Sequence, residues 1–121
     1  TDLDNVERFE KANLREARKT LMDRRRTVKE NVRNAWVDLM TKRRNAQLYN
    51  TQSVLTEEFL ALLKKKRLLG EEVQLLDILV GERDYMSATS QGVAAGIETV
   101  ISSYRLVRQM GLMEVDAVQQ R

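Results

Sequence analysis

Residues 66–85 read KRLLGEEVQLLDILVGERDY and hold the first glycine of a 121-residue chain that has no proline. From about Asn5 to Leu69 nothing interrupts a helix. Lys64, Lys65, Lys66 and Arg67 are the cations that suit the negative end of a helix dipole, and Gly70 offers the left-handed conformation with which helices commonly close. The GEEVQ stretch, residues 70–74, is short enough to force antiparallel neighbours, and Asp77 then falls in the first turn of a returning helix, where a carboxylate is favoured. The reading is an all-α chain forming one long antiparallel helical hairpin, a coiled coil. Its expected parts are a helix over about 5–69, a tip over about 70–74, a second helix over about 75–110 and a short C-terminal tail over 111–121.

Composition agrees. The hydrophobic share is 42% and the charged share 32%, which describes long helices with a thin core rather than a globular enzyme. Histidine and cysteine are both absent, so imidazole and thiolate ligands, a cysteine nucleophile and the usual neutral-pH base are missing. No enzyme activity, cofactor or metal is expected. No stretch approaches the roughly 20 apolar residues of a membrane span. The chain opens inside a charged helical pattern, which is expected of a piece of a longer protein.

Charge is unevenly divided. Residues 1–69 carry 17 Lys and Arg against 10 Asp and Glu, and residues 70–121 carry 4 against 8. The two arms of a hairpin would attract, although exposed pairs contribute only a few tenths of a kcal/mol each. Asp4/Arg8, Glu7/Lys11 and Asp38/Lys42 stand four apart and support the exposed side of the first helix.

Apolar periodicity predicts the seams. In the first helix Leu14, Leu21, Val28 and Ala35 keep heptad spacing, joined by Val32 and Leu39, and a second block follows at Leu48, Leu55, Leu62 and Leu69. In the second helix Leu79, Met86, Val93, Val100 and Val107 are seven apart, with Ile97 and Tyr104 beside them. At about 1.5 Å per residue the first helix would be roughly 100 Å long and the second about half that. The early stripe at Leu14 and Leu21 would therefore meet another chain or a further segment. Trp36 reads as a wedge packed between helices. Arg24, Arg25 and Arg26 read as a solvated triplet without an aromatic platform for nucleic acid.

Three stretches carry a resemblance. TVKENVRNAWVDLMTKRRNAQLY (27–49), GEEVQLLDILVGERDYMSA (70–88) and YRLVRQMGLM (104–113), in this order and at this separation, are similar to the second periplasmic helical hairpin of the TolC-type outer-membrane channels of efflux and type I secretion. The likeness spans about residues 10–113. It implies a segment of a periplasmic α-barrel, in a channel that is a trimer of an outer-membrane protein in a Gram-negative bacterium. The implied partners are a periplasmic adaptor protein and, through it, an inner-membrane transporter. Nucleic acid and direct membrane contact by this segment are not implied. Two departures stand out: one extra residue lies between Gly70 and Asp77, and Gln74 replaces the usual Ser or Thr cap.

The resemblance implies that Gly70, Leu75, Leu76, Asp77 and Leu79 form the adaptor-docking tip, with Asp77 as a candidate for lining the channel entrance. A second acid that some relatives pair with it is replaced here by Val80. Gly92 and Gly96, beside Ser90, Ala94 and Ala95, each cost about 1 kcal/mol of helix propensity relative to alanine, which points to close helix packing or a bending point. Two alternatives remain for the whole chain: a structural coiled coil whose only activity is self-association, and the hairpin of an adaptor protein itself.

Overall fold

The computed structural model describes residues 1–119, and two helices account for nearly all of them: α1, Asp2–Leu68, and α2, Leu75–Gln119. No strand occurs among the described residues. The all-helical hairpin class expected from the sequence is what the chain adopts. The contacts resolve it into two units, Val37–Tyr104 and Thr1–Trp36 with Arg105–Arg121, where one hairpin domain was expected.

α2 runs nine residues beyond its expected end. The one positive-φ glycine of the described chain is Gly70, and Gly111 sits within the helix. Leu112, Met113, Glu114 and Ala117 are helix formers that carry it onward. The expected tail is therefore helical to Gln119; Gln120 and Arg121 lie outside the described residues.

Within Val37–Tyr104, the buried and half-buried positions of α1 include Leu39, Lys42, Ala46 and Tyr49, then Ser53, Thr56, Leu60 and Leu63, alternating in steps of three and four. Those of α2 keep the same steps at Ile78, Gly81, Tyr85 and Ala88, then Gly92, Ala95, Thr99 and Ser102. This is a heptad seam. Its α2 side is made largely of small residues, which let two helix backbones approach closely, and its α1 side is partly polar. Contacts across it run antiparallel: Lys64 Nζ lies 3.3 Å from Glu82 Oε1, the Ser53 and Thr89 hydroxyls are 3.1 Å apart, and Lys42 Nζ lies 3.4 Å from Glu98 Oε2.

The seam differs from the one periodicity predicts. Leu79, Met86, Val93, Val100 and Val107 are between 52% and 69% exposed, and Ile97 and Tyr104 are exposed with them. They stand one or two positions beyond seam residues, rotated by about 100° or more around the helix. On α1 the early block is right in part, since Val28, Val32, Ala35 and Leu39 are half-buried or buried. The later block is not: Leu48, Leu55, Leu62 and Leu69 are exposed. Trp36 is 52% exposed rather than wedged.

Of the three expected i,i+4 pairs, Lys11 and Glu7 meet at 3.2 Å. Asp38 instead accepts a 2.7 Å hydrogen bond from Ser102, while Lys42 turns to Glu98. Asp4 is held by Thr1, whose hydroxyl donates to it at 2.6 Å. Groups on the opposing helix or at the chain start outcompete the next turn of the same helix.

Candidate functional site

The tip is built by a complete C-terminal cap. Gly70 has φ +83°, the left-handed region that L side chains resist. Its N–H donates to the Arg67 carbonyl at 3.1 Å, and the Glu71 N–H donates to the Lys66 carbonyl at 3.0 Å. These two bonds are the paired closures of a Schellman motif, and they satisfy carbonyls that the end of α1 would otherwise leave without donors. Lys65, Lys66 and Arg67 occupy the last turn beside them. After the turn, the Asp77 N–H donates to the Gln74 carbonyl at 3.1 Å, and Asp77 lies in the first turn of α2 as expected.

What the tip presents is apolar. Ile78 is buried in the seam, but Leu68, Leu69, Leu75, Leu76 and Leu79 are all more than half exposed, Leu76 at 64%. Asp77 is exposed among them. A small hydrophobic cap thus crowns the turn, accompanied by the exposed carboxylates of Glu71, Glu72 and Asp77. Large apolar side chains clustered on a surface are characteristic of an interaction site. Among the described residues no group of three or more potential metal-ligating side chains occurs.

The two glycines expected in close packing part company. A Cβ on Gly92 would lie 3.2 Å from Asn50 Oδ1 and 3.8 Å from Tyr49 Cβ, so α1 does approach there. A Cβ on Gly96 would meet nothing within 4 Å, and the expectation that Gly96 serves close packing is not met within this chain. Sequence reasoning missed a third position, Gly81, whose added Cβ would come within 3.2 Å of Leu60 Cδ1 and 3.7 Å of Leu63 Cδ1. The missed signal was heptad spacing of small residues: Gly81, Ala88 and Ala95 are seven apart and buried. Hydrophobicity scores overlook such a row.

The large apolar residues displaced from the seam form lateral faces. On α2 they run from Leu79 through Met86 and Val93 to Val100; on α1 Leu48, Leu55, Phe59 and Leu62 make a second row. Each helix of the Val37–Tyr104 unit therefore carries one seam toward its partner and one apolar row that no other part of the unit covers. Compared with family models, with curated proteins and with solved structures, the chain matches none.

Proposed function

We propose that the chain is a periplasmic helical hairpin of a TolC-like outer-membrane channel, docking an adaptor at its tip and contributing its lateral faces to a closed wall of helices. The observation that carries this reading is the pair of apolar rows outside the hairpin seam. A free-standing two-helix coiled coil places its large apolar residues between its helices. Here the α2 side of the seam is made largely of small residues, with Leu39, Leu60 and Ile78 as the large apolar side chains buried between the helices, while Leu48, Leu55, Met86 and Val93 face outward. That distribution suits helices with neighbours on two sides, as in an α-barrel wall.

The tip fits the docking role for a related reason. Its leucines contribute little to the hairpin that bears them, so their exposure is explained by a partner. In this reading the channel is a trimer, Asp77 stands at its entrance, and the chain serves efflux or type I secretion in the periplasm without catalysing a reaction.

A coiled coil that merely self-associates is the second reading, and the same exposed rows favour it. The tip separates the two. Leu76→Asp is expected to abolish capture of the cognate adaptor while leaving helix content and self-association unchanged. Pull-down, circular dichroism and sedimentation read the three quantities. Unchanged adaptor capture, or equal loss of helix and capture, refutes the docking role.

A further inference from the structure

Between Arg15 and Trp36 the surface of α1 carries a one-sided basic ridge. At about 100° per residue, a sector of about 120° contains Arg15, Arg18, Lys19, Met22, Arg25, Arg26, Lys29, Arg33 and Trp36, and no other residue of this span. Seven of these nine positions are cations, and none is an acid. Arg24 falls on another face, so the RRR triplet is not the organising feature. The acids Glu16, Asp23 and Glu30 follow one flank at seven-residue spacing.

The ridge runs continuously along α1. Two adjoining open depressions meet at Met22 and Arg26, with Arg15, Arg18, Lys19 and the flanking Asp23 along one and Arg25, Lys29, Arg33 and the flanking Glu30 along the other. All seven cations are exposed. Ion pairs are seen at Lys11, Lys42, Lys64 and Arg83, and Arg25 and Lys29 border Asp116 of α2. Met22 is 63% exposed within the ridge, and Trp36 stands exposed at its end.

We propose that this ridge binds an anionic phospholipid surface, with α1 lying along the headgroup layer. Its length, about 27 Å from Arg15 to Arg33 at 1.5 Å per residue, spans a row of several lipid headgroups. Five of the seven cations are arginines, whose planar guanidinium matches phosphate with two parallel hydrogen bonds. The other two members, Met22 and Trp36, are apolar groups among cations whose long side chains keep their charged ends at the phosphates, so the attraction is chiefly electrostatic. Nucleic acid is the lesser fit: the sector holds no Asn, Gln, Ser or Thr to read base edges. A second copy of the chain is also a poor match, since α2 has six acids spread over its 45 residues and no comparable acidic row.

The resemblance implies no direct membrane contact by this segment, and no helix of the described residues is long and apolar enough to cross a membrane. A helix lying on a surface needs no such stretch. The proposal stands apart from the channel reading, because it uses neither the tip nor the lateral rows.

The test is co-sedimentation of the whole chain with vesicles of phosphatidylcholine containing 30% phosphatidylglycerol, against pure phosphatidylcholine. Binding is expected to the anionic vesicles alone, to weaken from 0.1 to 0.5 M salt, and to blue-shift the emission of Trp36, the single tryptophan. The ridge variant Arg18→Gln/Arg26→Gln/Arg33→Gln should bind roughly a hundredfold more weakly, at about fivefold per cation removed. The control Arg24→Gln/Lys65→Gln/Lys66→Gln, which removes the same charge elsewhere, should lose far less, and circular dichroism verifies that both remain helical. Equal losses in the two variants, no binding to anionic vesicles, or tighter binding to duplex DNA or polyglutamate at equal anion concentration would each overturn the proposal.

Discussion

Gly70 and Gly96 form a controlled pair for testing the hairpin. A Cβ at either position would meet nothing within 4 Å, so steric cost is absent at both and only backbone conformation differs. At Gly70, with φ +83°, an L-residue is disfavoured by roughly 1–2 kcal/mol. Reduced freedom of the unfolded chain returns about 0.4–1 kcal/mol of this. Gly70→Ala should therefore destabilise by about 1 kcal/mol. Gly96 lies in helix, where alanine is favoured by about 1 kcal/mol, so Gly96→Ala should stabilise by that amount. The two variants should differ by about 2 kcal/mol, which separates their urea midpoints by on the order of 1 M. Unfolding followed by circular dichroism at one low protein concentration provides the measurement, since self-association would add a mass-action term. D-alanine at position 70, introduced by chemical ligation, should reverse the sign. If Gly70→Ala matches the unsubstituted chain, the Schellman closure of α1 is wrong. If Gly96→Ala destabilises only as concentration rises, a second chain packs against that glycine.

Other perturbations probe the seam and the lateral rows. Ser102 is 1% exposed and donates to Asp38, so Ser102→Ala should cost about 1–2 kcal/mol, and Ser102→Leu about 1–3 kcal/mol through overpacking; a higher melting temperature for the leucine variant would show that the seam has room. Val93→Glu combined with Val100→Glu should leave helix content intact in dilute solution while shifting the sedimentation profile toward monomer, and loss of helix instead would return these valines to the hairpin core. Lys64→Ala removes a pair whose side chains are about half exposed, so its effect on the urea midpoint should correspond to only a few tenths of a kcal/mol.

Local chemistry made the hairpin readable from sequence. The end of α1 depends on a glycine that tolerates positive φ and on cations in the turn before it, and the start of α2 depends on a short turn and an acid at the first turn; all of these act within a few residues of one another. Gly70, Asp77 and the class of the fold follow from such neighbours. Leu75, Leu76 and Leu79 were singled out by resemblance, and their exposure is a property that only the packed chain reveals. Heptad counting, in contrast, found the apolar rows and assigned them to the wrong face. Periodicity in hydrophobicity reports that a row is suited to burial without saying by which neighbour. Beside Leu39, Leu60 and Ile78, the space between α1 and α2 holds Gly81, Ala88, Gly92, Ala95 and Ser102, whose small size permits close approach and whose weak hydrophobicity hides them from the same count. Tertiary structure decided which rows pair within the chain: the backbones approach closely at Gly81 and Gly92, and Met86 and Val93, each one position beyond a seam residue, are turned outward.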